Sequence, residues 1–474
     1  MDELVGLSAR AAVQRLARRE VSPLELIDAA EARIAEADPV INALPTRCFA
    51  RARAHARRLM ADPPADPPPH YLHGLPIAVK DLNEVAGVRT TFGSPIFADH
   101  VSEFSDYMVE TLEANGAIVI AKSNTPEFGA GSHSFNEVFG RTNNPWNARL
   151  SAGGSSGGSA AALAAGEVWL ATGSDLGGSL RNPASFCSVV GLRPSPGRVA
   201  HGPAAFPFHD LGVQGPMART VADAALMLDA MCGRHKGDPL SLDAPAVPFS
   251  RAAAEAAAPA RVGFSADLGG IVPVDPEVAA LCARAARDFA DLGAAVDETC
   301  PDFAGAKDAF HVLRAHAFAM RRGELLDAHR DRLKPEIVWN IEAGRALAAT
   351  DIARAERTRA ALFHRVTRFF ETFDLLLCPA AIVAPFDGAL RYPEEVGGTR
   401  FESYIDWLLI CSAVTLTACP AMSVPCGFTA DGRPVGLQMV APPKCEGRLL
   451  AAARLFEDAH PFAGQVPIEP RPPT

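Results

Sequence analysis

The sequence has no long apolar run, and the spacing of its cysteines and histidines is typical of neither a disulfide scaffold nor a metal site. Glycine, proline or charged residues interrupt every apolar segment, which argues against a membrane-spanning helix. Residues 1–10 carry early acidic residues and lack the apolar centre of a secretory signal. The ten cysteines form no C-x-x-C pair, and the thirteen histidines show no H-x-x-x-H or H-E-x-x-H spacing. We therefore expect a cytoplasmic protein that needs no metal or other cofactor and binds no membrane.

Basic residues are also fewer than acidic residues. The chain has 45 basic and 55 acidic residues, a formal net charge of −10, which argues against a nucleic-acid-binding surface. Hydrophobic residues make up 48% and charged residues 21%, values that are ordinary for a globular protein and exclude a largely disordered one. With 474 residues, the chain is long enough for one large domain or for two to three smaller ones.

Secondary-structure patterns divide the chain into an N-terminal helical arm, residues 1–65, and a larger region, residues 66–474. In the arm, Ser22-Pro-Leu-Glu25 has the pattern of a capping box that begins a helix. A proline-rich run ends the arm because it cannot continue a helix. Beyond it, short apolar segments alternate with helical patterns, which predicts an α/β fold. Residues 264–375 read as mainly helical, and strands that follow them are expected to complete the sheet begun at Gly74.

Two loops rich in glycine and serine lie close together, at Gly153–Ser159 and Gly173–Arg181. Flexible turns are one interpretation, but the loops flank a helix-forming stretch and an apolar strand, unlike a linker. A phosphate-binding P-loop needs a Lys-Ser/Thr pair that neither loop has. Gly153-x-Ser155-x-Gly157 fits the nucleophile elbow G-x-S-x-G, yet the residues before it read as a loop rather than as the strand that this motif requires.

A serine nucleophile needs a base, and neither loop contains histidine. Lys80 ends the apolar segment Leu75–Val79, where a lysine is usually the solvated end of a strand. If its side chain instead points into an apolar pocket, desolvation lowers its pKa towards the range of a working base. Both interpretations are open at this point.

Together these residues resemble the amidase signature family. The resemblance is strong over residues 74–220, resumes over 375–457 and is weak between them. Other stretches that carry it are Ala121–Gly129, Asn144–Asn147, Phe186–Arg193 and Pro434–Gln438. It implies a single large α/β domain whose central mixed sheet is covered by helices on both faces, with a variable helical segment at 264–375.

The resemblance also implies a mechanism and assigns residues to it. In this family a lysine, matched by Lys80, acts through a bridging serine on a cis peptide, matched by Ser155. The nucleophile that forms the acyl-enzyme is matched by Ser179. The implied oxyanion hole consists of the backbone N–H groups of Leu176, Gly177, Gly178 and Ser179.

For the substrate, the resemblance implies a small amide: an aryl or aliphatic amide, an anilide, a hydrazide or a carbamate. Gly129, with Phe128 beside it and Ser155, aligns with the acyl pocket. Phe128 and Trp169 are candidates for its apolar walls, and packing in the core is an equally good interpretation of both. The family also allows a homodimer.

Two alternatives stay open. A glutamine-hydrolysing A-type component of a tRNA amidotransferase needs a tyrosine in its middle region, and this chain has none between Tyr107 and Tyr392. A non-enzymatic binding scaffold is expected to have lost a member of the triad, and all three members are present.

Overall fold

The apolar segments that the sequence predicts as strands lie in one central sheet in the computed structural model, which describes residues 3–473. The helices are α1 (Glu3–Gly6), α2 (Ala9–Ala17), α3 (Pro23–Ile41), α4 (Phe49–Ala61), α5 (Tyr107–Ala114), α6 (Gly157–Ala165), α7 (Arg181–Cys187), α8 (Val221–Met231), α9 (Phe249–Ala254), α10 (Pro276–Asp291), α11 (Ala306–His329), α12 (Pro335–Arg345), α13 (Ala349–Phe369), α14 (Leu409–Thr415) and α15 (Glu446–Ala459). The strands are β1 (Thr46–Arg47), β2 (Pro76–Lys80), β3 (Ile118–Ser123), β4 (Phe135–Asn136), β5 (Gly140–Arg141), β6 (Asn143–Asn144), β7 (Asn147–Ser151), β8 (Leu170–Asp175), β9 (Val190–Arg193), β10 (Val213–Ala218), β11 (Arg261–Phe264), β12 (Ala295–Glu298), β13 (Leu375–Pro379), β14 (Glu395–Val396), β15 (Thr399–Arg400), β16 (Ala421–Phe428) and β17 (Pro434–Val440).

The central sheet has eleven strands in the order β1-β3-β2-β8-β10-β9-β16-β17-β13-β11-β12. Strand β2 is parallel to β3 and β8, and β11 is parallel to β12 and β13. The strands between these two groups pair antiparallel. The sheet is therefore mixed and flanked by helices, as predicted, and β13, β16 and β17 complete the sheet that begins at β2.

The parallel strands β3, β2 and β8 place three polar residues at one edge of the sheet. These strands end at Ser123, Lys80 and Asp175, respectively, and Lys80 pairs in register with Ser123. Because the carboxyl ends of parallel strands meet at the same edge, the loops that follow them converge there, which is where α/β proteins commonly bind ligands.

The N-terminal region contains helices α1–α4, but it also contributes β1, which pairs antiparallel with β3 at the sheet edge. The predicted capping box is confirmed: Ser22 Oγ accepts a hydrogen bond from Glu25 N at 3.3 Å, and the Glu25 carboxylate accepts one from Ser22 N at 2.8 Å. Met1, Asp2 and Thr474, at the ends of the two predicted regions, lie outside the described residues.

Two local predictions differ from the structure. The pattern of residues Val101–Asn115 predicts a helix, but the helix begins at Tyr107, because Val101 forms a β-bridge with Arg89 instead. The residues before Gly153, which read as a loop, form the small hairpin β6–β7 apart from the central sheet. The segment between β11 and β13 is mainly helical, as predicted, with β12 as its one strand.

Candidate active site

Lys80, at the end of β2, is completely buried. Its Nζ lies 2.7 Å from Ser155 Oγ, 2.8 Å from Ser156 Oγ and 3.0 Å from Ser174 Oγ, so three hydroxyl groups surround the amine. Burial lowers the pKa of Lys80 to about 7, while the charge of Asp175 opposes part of that shift. Lys80 is therefore not the solvated end of a strand, and a large fraction of it is neutral near pH 7.

The first glycine-serine loop positions Ser155 against this lysine. The Gly154–Ser155 peptide bond is cis, as the family resemblance implies for the bridging serine. Asn182 holds the loop on both sides of Gly154, accepting from its N–H at 2.9 Å and donating to its carbonyl at 2.6 Å. A Cβ at Gly154 would lie 2.8 Å from the backbone nitrogen of His133, so only glycine fits this close approach.

The second loop is held by Asp175, at the end of β8. Its carboxylate accepts from the N–H groups of Gly178 at 2.9 Å and Leu180 at 3.1 Å, and from the guanidinium of Arg181 at 2.9 and 3.0 Å. Burial alone would raise the pKa of Asp175, but Arg181 and Arg193 outweigh it and hold that pKa well below its usual range. Asp175 and Arg181 thus support the loop.

Ser179 is half-buried at the end of this loop. Its carbonyl accepts a hydrogen bond from Ser156 N at 3.2 Å, which ties the two loops together. Within residues 3–473, Gly178 N–H is taken up by Asp175, whereas the N–H groups of Leu176, Gly177 and Ser179 have no hydrogen-bond acceptor.

A cavity of about 340 Å³ opens onto both loops. Six of the residues singled out from the sequence line it: Phe128, Gly129, Ser155, Leu176, Gly177 and Ser179. Lys80 and Gly178 are absent from the lining, but Lys80 contacts two residues that line the cavity, Ser155 and Ser174.

The acyl-pocket candidates lie beside the bridging serine. Gly129 has a φ of +74°, and a Cβ there would lie 3.4 Å from Ser155 Oγ and 2.9 Å from Leu82 Cδ1. The absence of a side chain therefore keeps the space in front of Ser155 open. Trp169 is not a wall of the cavity: it is buried in the core, and its Nε1 donates to the carbonyl of Leu4 at 3.2 Å.

Helix α11 supplies a cavity wall that sequence reasoning could not assign. Phe310, Arg314, Ala317, Phe318 and Arg321 line the cavity at spacings of i, i+4, i+7, i+8 and i+11, which is one face of a helix. This helical periodicity is visible in the sequence, but it does not show whether the face borders the core or a cavity.

Two other properties bear on the chemistry. In the described part of the chain, no three His, Cys, Asp or Glu side chains are grouped so that they could hold a metal ion. Within residues 3–473, no helix is both long and apolar enough to cross a membrane.

Comparison with known proteins gives matches over nearly the whole chain. The family described as Amidase matches residues 25–450. An acylamidase of Rhodococcus erythropolis is 35% identical over 98% of this chain and 97% of its own length. The A-type component of the glutamyl-tRNA(Gln) amidotransferase of Thermosynechococcus vestitus is 34% identical over 96% of this chain and 98% of its own. A bacterial aryl acylamidase, described as belonging to the amidase signature enzymes, superposes with a TM-score of 0.90 at 28% identity, covering 98% of this chain and 99% of that one.

Proposed function

This chain belongs to the amidase signature family and is a hydrolase of amide carbon–nitrogen bonds, and we propose that it cleaves a small amide with Ser179 as nucleophile. Ser155 passes the proton of Ser179 to Lys80, which acts as the base. The observation that carries this proposal is the position of Lys80 Nζ, which is fully buried and lies 2.7 Å from Ser155 Oγ.

The hydrogen bonds around Lys80 suit its neutral form. A neutral amine has two N–H donors and one lone pair. Nζ lies within donating distance of the hydroxyl groups of Ser155, Ser156 and Ser174. We propose that in the neutral form Ser156 and Ser174 accept the two N–H groups and that Ser155 Oγ–H donates to the lone pair. Ser155 thereby has a lone pair free to receive the proton of Ser179, so the base acts on the nucleophile through one hydroxyl.

We propose that these residues act in the following order. As Ser179 Oγ bonds to the amide carbon, its proton moves to Ser155 and the Ser155 proton moves to Lys80, leaving an oxyanion. Returning that proton through Ser155 to the amide nitrogen lets the C–N bond break and an amine or ammonia leave. Water then attacks the acyl-Ser179 ester by the same relay and releases the acid.

The N–H groups of Leu176, Gly177 and Ser179 are our proposed oxyanion donors. They lie on residues that line the cavity, and none has a hydrogen-bond acceptor among residues 3–473. Gly178 was expected to donate as well, but its N–H is held by Asp175 at 2.9 Å. We propose that Gly178 instead fixes the loop so that its neighbours point at the oxyanion. Loss of one such donor typically costs about 3–4 kcal/mol of transition-state stabilisation.

The cavity supports a small substrate with an apolar portion. Its volume of about 340 Å³ is at the lower end of ligand-binding sites in proteins. Phe128, Phe310, Phe318 and Leu408 contribute apolar walls. An aliphatic or aryl amide, an anilide, a hydrazide or a carbamate fits this description, and the acylamidase relatives support the amide and anilide classes.

A second candidate is the glutamine-hydrolysing component of a tRNA amidotransferase, favoured by the 34% identical relative of that name. The absence of tyrosine between Tyr107 and Tyr392 argued against it from sequence. The structure weakens that argument, because Tyr404 lines the cavity from outside that interval.

The test is acid and amine release from a panel of aliphatic amides, anilides, hydrazides, carbamates and glutamine by the native protein, Ser179→Ala and Ser250→Ala. Ser250 is a control serine on α9, outside the cavity. We expect turnover of at least one class other than glutamine without a partner protein, a loss of at least about a thousandfold in Ser179→Ala, and native rates in the control. Activity on glutamine alone would favour the amidotransferase component, and full activity of Ser179→Ala would remove Ser179 as nucleophile.

A further inference from the structure

Helix α11 brings three guanidinium groups to the cavity. Arg314, Arg321 and Arg322 all line it. The lining also includes the carboxyl groups of Glu84, Asp106 and Asp175, so the contacts of each arginine decide whether its charge has a partner. Buried and half-buried arginines are normally paired with carboxylates, since an uncompensated charge away from water is costly.

Arg321 and Arg322 have no such partner. No carboxylate oxygen of residues 3–473 lies within 4.0 Å of either guanidinium. Arg321 donates to His209 Nδ1 at 2.8 Å, and burial together with the charge of Arg321 lowers the pKa of His209 to about 3, so that ring is neutral. Arg322 lies over the ring of Phe128, 4.6 Å from its centroid, a contact that leaves its N–H donors free.

The remaining charged groups of the cavity are already engaged. Arg314 donates to Asn340 and, at 2.6 Å, to the hydroxyl of Tyr404. Glu84 lies 3.0 Å from His100 Nε2. Asp106 accepts from Asn83 Nδ2 at 2.7 Å, and burial raises the pKa of Asp106 to about 7. None of the three arginines has a carboxylate partner among residues 3–473, but Arg314 already donates from both terminal nitrogens to Asn340 and Tyr404. Arg321 and Arg322 therefore keep more donors for a ligand.

Both of them line the same cavity as Ser155 and Ser179. Arg322 covers Phe128, whose neighbour Gly129 borders Ser155 Oγ. Arg321 contacts the ring of His209, which lies near Gly212. A Cβ at Gly212 would be 4.0 Å from His209 Nδ1 and 3.7 Å from Cδ1 of Leu176, a residue of the second glycine-serine loop. A small ligand bound at Ser179 therefore shares the cavity with both arginines.

We propose that the substrate carries a carboxylate, which Arg321 and Arg322 bind, and that an apolar segment of the substrate separates this carboxylate from the scissile amide. The planar donor fork of arginine matches the two oxygens of a carboxylate. The aromatic side chains Phe310 and Phe318, on the same helix face, provide contacts for the apolar segment. This inference rests on the proposed hydrolysis at Ser179 and adds the class of substrate.

The test compares amides that differ only in charge. One pair is the 4-nitroanilide of glutaric acid and that of its monomethyl ester, with the charge in the acyl group. The other pair is 4-acetamidobenzoate and its methyl ester, with the charge in the leaving amine. We expect the acid of at least one pair to exceed its ester in kcat/KM by about tenfold or more, the usual effect of a hydrogen bond to a charged group. Added salt should reduce that preference.

Variants then assign the preference to the arginines. Arg322→Gln should lower kcat/KM for the preferred acid at least about tenfold more than for its ester, and Arg322→Lys, which keeps the charge, should retain part of the preference. Arg357→Gln, an exposed arginine of α13, should match the native protein on both. If neither acid is preferred, or Arg322→Gln lowers acid and ester equally, the carboxylate site is wrong. If the native protein hydrolyses none of the four compounds or any other amide tested, it is the proposed hydrolysis that fails.

Discussion

Hydrolysis by this protein should increase about tenfold between pH 6 and pH 8 and then level off, because only neutral Lys80 accepts the proton relayed from Ser179. Complete burial lowers the pKa of Lys80 to about 7. With that value, about one-tenth of the lysine is neutral at pH 6 and about nine-tenths at pH 8. A lysine with its ordinary pKa of 10.5 would instead give a rate that continues to increase about tenfold per pH unit beyond pH 9.

The assay is kcat/KM for an uncharged 4-nitroanilide from pH 5.5 to pH 10 at constant ionic strength. Asp106 needs a control, because it lines the same cavity and burial raises its pKa to about 7 as well. Asp106→Asn should keep the rising limb, since Asp106 has no hydrogen bond to Lys80 or to either serine. A profile that is flat between pH 6 and pH 9, or a limb that disappears in Asp106→Asn, would refute the assignment of the base to Lys80.

The same titration should appear in stability. Between pH 7 and pH 10.5 the unfolded chain holds a proton on Lys80 that the folded chain has lost, so the contribution of Lys80 to the free energy of unfolding rises with pH. The gain from pH 6 to pH 9 is about 2–3 kcal/mol. At about 2.1 cal/mol/K of unfolding entropy per residue, this corresponds to about 2–3 °C in Tm. Lys80→Met should lack this gain, and a native-minus-variant Tm that is constant over this range would contradict the shifted pKa.

Three other substitutions test the surroundings. Asp175→Asn leaves two buried guanidiniums without their carboxylate and should lower the free energy of unfolding in urea by about 3–5 kcal/mol, and an unchanged midpoint would contradict this. Gly129→Ala should lower kcat/KM, because its Cβ would lie 2.9 Å from Leu82, whereas Gly270→Ala, with a similar positive φ but nothing within 4 Å, should not. Burial raises the pKa of Glu167 well above 4.5. The stability that protonated Glu167 contributes below pH 4.5 is therefore lost as the pH rises through the pKa of the folded state. The Tm of Glu167→Gln relative to native should therefore increase from about pH 4.5 to pH 8, and a constant difference would count against it.

The strands that carry the candidate site were predictable where the local sequence pattern carries the information. The buried segments at Pro76–Lys80 and Pro434–Val440 are apolar over nearly their whole length, as strands covered on both faces must be. The apolar pattern of Glu167–Ala171 predicts a strand there, whereas β8 spans Leu170–Asp175, because it continues through Thr172, Gly173 and Ser174 despite their weaker strand propensity. Pairing with β2 and β10 on its two sides holds these residues in the sheet.

Contacts distant in sequence could not be predicted from one chain. The hydrogen bond of Lys80 to Ser174 joins residues 94 apart, and its bond to Ser156 joins residues 76 apart. The α5 start at Tyr107 depends on the bridge between Arg89 and Val101 and on the bond from Asn83 to Asp106. The cavity wall of α11 has a helical periodicity, but the sequence does not show whether such a face meets the core or an open space.

The charges around Asp175 connect loop geometry with the state of the base. The carboxylate of Asp175 holds Gly178 and Leu180, but its negative charge also raises the pKa of Lys80. An isolated carboxylate in this place would therefore fix the loop and at the same time favour the inactive, protonated lysine. Arg181 and Arg193 supply two positive charges against that one negative charge. They let the carboxylate stay ionised and ordered. The buried cluster can thus hold the proposed oxyanion donors in place, while the burial of Lys80 lowers its pKa despite the charge of Asp175.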